Sequence, residues 1–314
     1  MSSNACPRTP WYCRKEFEWT FRAETGFREI LSGGPRLQEK RLNNRMGLLG
    51  KITRLPGVRG AWKRLDIGSV SARLEFDIWE RPHYAFGVHR SAQLARSLGH
   101  EAVTVIEFGV AGGRGLLELE KMAALMSREL GIRIDVVGFD TGVGLPQPKG
   151  YRDLVHVWDT GYFEMDVMAL KPRLAPATQL ILGNVNQTAG KFAATTPSPI
   201  GFIAFDMDYW SSTVESFQIF AGPPESRLPR IYCYFDDLVW PEEACHNDFT
   251  GELRAISDFN QDHQDQKICP LANLRWTRAH PALWNDQFYV MHDFAHPSYT
   301  TNIKGKADTR QLTL

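Results

Sequence analysis

The sequence predicts an α/β fold, a doubly wound, mostly parallel seven-stranded sheet with an N-terminal helical appendage. Three observations predict it. Residues 103–115 (VTVIEFGVAGGRG) read as a buried strand running into a glycine-rich turn, and residues 116–130 (LLELEKMAALMSREL) follow as a strong helix. Further short apolar runs alternate with helical stretches along the chain, and most of them end on a polar or acidic residue. Two last runs, 274–279 and 287–294, follow one another closely, which suggests an antiparallel hairpin at the sheet edge.

The chain has 314 residues, 43% hydrophobic and 23% charged, ordinary values for a globular protein of one large domain or a domain with an appendage. No apolar run is long enough to span a bilayer, and the first residues lack a signal-peptide core, so the expectation is a cytoplasmic protein without a membrane partner. The five cysteines are scattered, with no C-x-x-C pair, and point to neither a disulfide framework nor a zinc site. Charge is uneven. Residues 1–82 carry 16 Lys and Arg against 9 Asp and Glu, and the remainder 20 against 27. A solvated basic arm lying on an acidic domain accounts for this; no alternation of aromatic and basic residues marks a nucleic-acid surface.

In order, residues 1–45 show weak periodicity and a Ser-Gly-Gly-Pro break at 32–35, the pattern of a poorly ordered extension. Met46 is a candidate true start. Residues 46–88 read as a helical cap of short pieces interrupted by Pro56, Gly57 and Gly60, with a two-aromatic turn at 83–88. The main domain is 89–296, opening on a helix at 89–98 ended by Gly99. Its strands are 103–108, 132–139, 179–182, 200–205 and 231–235, with helices at 185–192, from 212 or 213 to 220, and at 248–259. Residues 147–172 form a long connection at the carboxyl edge of the sheet, read as a lid, with His156, Trp158 and Tyr162 as candidate lining residues. Residues 297–314 are polar and read as a flexible tail.

The site residues gather at the carboxyl ends of these strands. Gly109, Gly113 and Gly115 let the backbone turn sharply and approach a ligand. Asp140, after the second strand, stands where such folds hold a ribose diol. Asn184, after the third, offers a donor and an acceptor to a base. Asp206 and Asp208 follow the fourth strand, and Asp236 and Asp237 the fifth. Carboxylates this close repel unless a divalent cation with a preference for oxygen ligands joins them, which makes Asp206, Asp236 and Asp237 candidate metal ligands. Asp208 is the first choice of general base and His246 the second. One of the four acids can instead serve only as a helix cap or face water.

The spacing Glu107-x-Gly109-x-x-x-Gly113-x-Gly115 resembles the first motif of class I S-adenosylmethionine-dependent methyltransferases, in which the glycine turn lies along the methionine half of the cofactor. Residues 138–146 (GFDTGVGLP) resemble the GFDSFEGLP stretch of the macrocin O-methyltransferase (TylF-like) family, departing from it at Gly142 and Val143. Residues 206–213 (DMDYWSST) with the later FDDL resemble that family's D-x-D-x-Y-x-S-T and D-D pattern, one residue shorter before Tyr209. The resemblance implies a Rossmann-like methyltransferase fold, S-adenosylmethionine held by Glu107 and the residues above, use of a divalent metal such as Mg2+, and O-methylation of a small hydroxylated molecule such as a sugar or secondary metabolite. Two alternatives stay open, a nucleotide-dependent oxidoreductase on a Rossmann sheet and a non-catalytic S-adenosylmethionine-binding protein. A homo-oligomer is equally open.

Overall fold

The computed structural model describes residues 48–65 and 67–304. The chain divides into two units, residues 1–48 and 49–314, and the fold below is that of the second. The extension expected at 1–45, and Met46 as a start, lie outside the described residues.

Seven strands form one sheet: β1 (Ala102–Phe108), β2 (Arg133–Asp140), β3 (Gln179–Leu182), β4 (Ile200–Phe205), β5 (Arg227–Phe235), β6 (Gln266–Pro270) and β7 (Phe288–Asp293). Their spatial order is β3-β2-β1-β4-β5-β7-β6. The first five are parallel, and β7 runs antiparallel to both β5 and β6. This is the doubly wound sheet that the sequence predicts. Strands β1 and β4 are buried along their whole length, as suits parallel strands covered on both faces. Two apolar cores lie on the two faces of the sheet.

The helices are α1 (Leu48–Ile52), α2 (Val58–Leu65), α3 (Val70–Glu75), α4 (Pro82–Ser97), α5 (Arg114–Leu130), α6 (Val167–Leu170), α7 (Val185–Ala193), α8 (Trp210–Ser216), α9 (Gly251–Asp262) and α10 (Leu274–Thr277). The turn expected at 83–88 is instead the first half of α4. Pro82 sits in its first turn, where a missing N–H costs nothing. Gly87, which reads as a breaker in the sequence, is a packing residue: a Cβ there would lie 2.2 Å from the Phe202 ring. Gly60 likewise lies inside α2, while Pro56 and Gly57 do interrupt the chain between α1 and α2.

The strand expected at 274–279 is a second correction. That segment holds α10, and the edge strand is β6, eight residues earlier. Only Ile268 of β6 is buried, so its sequence carries little apolar signal, and Pro270 ends it where an edge strand tolerates a missing donor. The tail expected to be loose after His296 is tied down in its first residues. Arg230 donates to the Tyr299 carbonyl (2.8 Å), and the Tyr299 hydroxyl lies 2.9 Å from His292 Nδ1.

Across the sheet, the last residues of β1, β4 and β5 and the penultimate residue of β2 match in register on one face, Phe139 beside Phe108, Phe108 beside Phe205, and Phe205 beside Phe235. Their ring centroids are 4.7, 5.5 and 4.6 Å apart, and all four rings are buried. The ladder hydrogen bonds run one residue further: Gly109 donates to the Phe139 carbonyl (2.9 Å), Asp206 to Phe108 (3.1 Å) and Asp236 to Phe205 (3.0 Å). The strand ends are therefore held level, with Asp140, Gly109, Asp206 and Asp236 emerging side by side.

Gly87→Ala tests the α4 seat. Helix propensity alone favours Ala by about 1 kcal/mol, but Phe202 is buried between Tyr84 and Phe288 and cannot yield. Overpacking costs about 1–3 kcal/mol, so a net loss of stability is expected in chemical denaturation; a stabilised variant would contradict this packing.

Candidate functional site

A cavity of about 610 Å³ opens at the carboxyl ends of the parallel strands. Gly109, Asp140, Asn184, Asp206, Asp208, Asp236 and Asp237 all line it. So do Trp158, Tyr162 and Phe163 from the long connection after β2, and Trp240 from the loop after β5. No described residue of 46–88 lines it, and its described walls come from the sheet edge and the connection.

The glycine turn depends on its glycines at two positions. Gly109 has φ +82°, and a Cβ there would lie 1.8 Å from the Asp206 carbonyl oxygen. Gly113, the N-cap of α5, has φ +77°, and its Cβ would lie 2.3 Å from the Leu170 side chain. Asp140 braces this turn. One carboxylate oxygen accepts from the Ala111 N–H (2.8 Å), the other from Gly142 N–H (2.6 Å). Asn184 caps α7, its side-chain oxygen accepting from Asn186 N–H at 3.2 Å.

Glu107 does not line the cavity. It points to the opposite face of β1 from Phe108, as alternation along a strand requires, and is buried beneath the turn. Its Oε1 accepts from the Tyr84 hydroxyl (2.7 Å) and would lie 1.7 Å from a Cβ on Gly115; its Oε2 has no partner among the described residues. Burial raises its carboxyl to about 7, against the opposing pull of Tyr84 and Arg81. Gly115 is required to make room for this carboxylate and does not line the cavity either.

The acids after β4 and β5 converge as the sequence predicts. One carboxylate oxygen from each of Asp206, Asp236 and Asp237 falls within 4.8 Å of the others. At that separation, two ionised carboxylates repel by roughly 3 kcal/mol at an effective dielectric of about 20. Asp237 is buried and accepts from the Asp208 backbone N–H (2.8 Å), while its own N–H donates to Glu252 (3.1 Å). Asp236 accepts from the Tyr234 hydroxyl (2.6 Å), and Gln287 donates to its backbone carbonyl (2.6 Å). The Asp206 carboxylate accepts no hydrogen bond among the described residues. Asp208 has φ +57°, a conformation most side chains avoid, and its carboxyl lines the cavity rather than capping α8.

Burial, followed by repulsion from their neighbours, holds Asp206, Asp208 and Asp237 well above the usual carboxylate range. Glu252, buried behind Asp237, is raised for the same reasons. Arg81 is a cation felt by the cluster: burial works against its charge, but Tyr84, Glu107, Asp206 and Asp236 hold its guanidinium above its ordinary value. The donor set is all oxygen, crowded and short of compensating charge, and it fits a hard divalent cation such as Mg2+ held by Asp206, Asp236 and Asp237.

His246 does not reach the cavity. Its Nε2 lies 3.1 Å from the Trp240 carbonyl, and burial lowers its pKa. His156 is also turned away, 3.1 Å from the Glu243 carbonyl. Sequence reading missed Tyr84, Tyr234, Gln287 and Glu252, which support the acids from behind. Tyr234 had a signal, since it precedes Asp236 by two and so shares its side of β5. Gln287 and Glu252 reach the site only through folding. His83 is half-buried and stacks on Tyr234, centroids 4.2 Å apart, and desolvation and Arg81 push its pKa down to about 3.

No protein-family model matches the chain, and no curated protein matches it. Among solved structures it is similar to CalS11, a calicheamicin methyltransferase, at 19% identity over 87% of this chain and 99% of that one, with a TM-score of 0.46. It is similar to the O-methyltransferase NovP at 13% identity over 67% and 79%, with a TM-score of 0.43. It is also similar to the O-methyltransferase TomG from Streptomyces achromogenes, solved with S-adenosylmethionine, at 12% identity over 77% and 98%, with a TM-score of 0.43. Likenesses this distant assign no residue and no substrate. Among the described residues, no helix is long and apolar enough to cross a membrane.

The raised carboxyls have a consequence for stability. Each keeps its proton in the folded chain at a pH where the unfolded chain has lost it. Their contribution is therefore fullest below the unfolded pKa and is lost as pH rises through the folded one; for Glu107 that window runs from 4.5 to about 7. The melting temperature of the metal-free protein should fall across this window. Added Mg2+ should raise it most at the alkaline end, where the acids are ionised. Parallel melting profiles with and without Mg2+ would contradict the metal assignment.

Proposed function

We propose that the protein is an S-adenosylmethionine-dependent, divalent-metal-assisted O-methyltransferase of the TylF-like kind, acting on a small hydroxylated molecule such as a sugar or secondary metabolite. One observation carries the proposal: a braced glycine turn and a three-carboxylate cluster face one cavity from adjacent strand ends. A methyl donor with a sulfonium charge suits such an acidic chamber.

In this reading the turn at Gly109 and Gly113 seats the methionine half of the donor, with Glu107 and Gly115 fixing it from beneath. Asp140 spends one lone pair of each oxygen on Ala111 and Gly142, and the remaining pairs can accept the ribose hydroxyls. The Asn184 amide NH2, left over from capping, is available to the base. Asp206, Asp236 and Asp237 would hold the divalent cation. Such a cation lowers the pKa of an acceptor hydroxyl and fixes its position. Asp208 stands beside these ligands and takes the hydroxyl proton on its carboxylate, since His246 is held off the cavity. S-adenosylmethionine seated this way would supply the methyl group, which would pass from its sulfur to the acceptor oxygen held in line at the cluster and release S-adenosylhomocysteine.

The oxidoreductase alternative requires a pyrophosphate among these acids, and among the described residues no Lys or Arg lines the cavity to receive it. A non-catalytic binder has no use for an arrangement whose ionised members repel by roughly 3 kcal/mol per pair.

Calorimetry should detect binding of S-adenosylhomocysteine and none of NAD. Asp206→Asn should lower methyl transfer by roughly a hundred-fold or more while leaving S-adenosylhomocysteine affinity little changed. Loss of both together, with Mg2+ without effect on either, would overturn the metal-assisted reading.

A further inference from the structure

The character of the cavity wall bears on what enters it beside the donor. Among the described residues, its lining includes five carboxylates, Asp140, Asp206, Asp208, Asp236 and Asp237, and no Lys or Arg. Three cations on neighbouring segments are committed elsewhere. Lys149 is paired with Glu215, the Arg152 guanidinium lies 4.7 Å from the Trp210 ring centroid, and Arg81 serves the buried side of the acid cluster. An anionic acceptor would meet only like charge here. A divalent cation at the three-carboxylate cluster brings two positive charges against the three negative ones that would hold it, so it leaves no net positive charge to draw a phosphate.

The rest of the wall is apolar and aromatic. Trp240 follows the metal-ligand candidate Asp237 by three residues and is 68% exposed at the mouth. Met207 lies between Asp206 and Asp208. The long connection supplies Trp158, Tyr162 and Phe163, with Trp158 and Phe163 edge to face at 5.6 Å. Exposed aromatic rings set around a cavity mouth are costly in water and are typical of a surface that a ligand covers. The Trp158 indole N–H is buried and has no partner among the described residues, so it offers the cavity wall one unspent donor.

We propose that the acceptor is an uncharged or cationic hydroxylated molecule with a flat apolar body, and not a phosphorylated or nucleotide-activated sugar. This rests on the methyltransferase reading above and narrows its substrate. The hydroxyl end is drawn to the carboxylate cluster, and the apolar body lies between Trp240 and the aromatic residues of the connection.

The test uses the full-length protein saturated with S-adenosylhomocysteine and Mg2+. Three sets of probes are titrated by calorimetry: neutral aryl glycosides and polyphenols, the corresponding free sugars, and nucleotide diphosphate sugars. The aryl set should supply the binders, at least roughly ten-fold tighter than the free sugars, as burial of one aromatic face warrants. The nucleotide sugars should not bind. Trp240→Ala, a change at an exposed position, should weaken the aryl binders by roughly ten-fold and leave S-adenosylhomocysteine affinity unchanged. Binding of a nucleotide sugar more tightly than any aryl probe, equal binding of free and aryl sugars, or binding of no aryl probe by the S-adenosylhomocysteine-loaded protein would each overturn the proposal. Failure of S-adenosylhomocysteine itself to bind would instead overturn the methyltransferase reading on which it stands.

Discussion

The row of four phenylalanines across the strand ends is the constraint on which the site depends. Phe139, Phe108, Phe205 and Phe235 stack in register on one face of the sheet, and each aromatic pair contributes about 0.5–1.5 kcal/mol beyond the area it buries. The larger effect is positional. A one-residue slip of any of these strands would turn its Phe to the other face and break the row. With the rings in line, the residue after each one leaves the sheet at the same height. That puts the Asp140 brace, the Gly109 turn and the Asp206 and Asp236 carboxylates at one level, close enough for Gly109 to need the absence of a Cβ against the Asp206 carbonyl.

The opposite face of the same strands carries the support. Alternation places Glu107 and Tyr234 there, with Ala204 between them in register. Helix α4 covers this face and brings Tyr84 to Glu107 and His83 to Tyr234. Tyr234 then returns to the site by donating to Asp236, and Glu252 of α9 accepts from the Asp237 N–H. The Asp236 and Asp237 carboxylates are thus oriented by hydrogen bonds, whereas that of Asp206 accepts none among the described residues. Hydrogen bonding fixes where the carboxylates point, and repulsion makes them receptive to a cation. The metal site proposed for this cluster needs both effects, since unsupported acids would turn to water and neutral groups would bind nothing.

The parallel strands and the acids at their ends were legible in the sequence because fully buried strands leave continuous apolar runs that stop abruptly at the sheet edge. Asp206, Asp236 and Asp237 could be grouped from that alone, and Trp158 and Tyr162 could be placed on the cavity by the length of their connection. The start of α4 was not legible, because Gly87 reads as a breaker until Phe202 is known to lie against it. Strand β6 was hidden by its position: an edge strand with one buried residue has almost no pattern, and the apolar residues of α10 imitated one. Glu107 was read as a contact residue because it precedes the glycine turn, but strand alternation turns it beneath the site. His246 is close in sequence to the acids, and its ring is held by the Trp240 carbonyl instead.

The central claim is that a methyl donor and a divalent cation occupy neighbouring places above the phenylalanine row. Crystals grown with S-adenosylhomocysteine and Mn2+, with data collected at the manganese absorption edge, test both parts at once. The account predicts an anomalous peak within bonding distance of Asp206, Asp236 and Asp237, and S-adenosylhomocysteine lying along the turn at Gly109 and Gly113 with its ribose at Asp140. Manganese bound elsewhere, or a cluster without metal beside a fully occupied donor site, would contradict it.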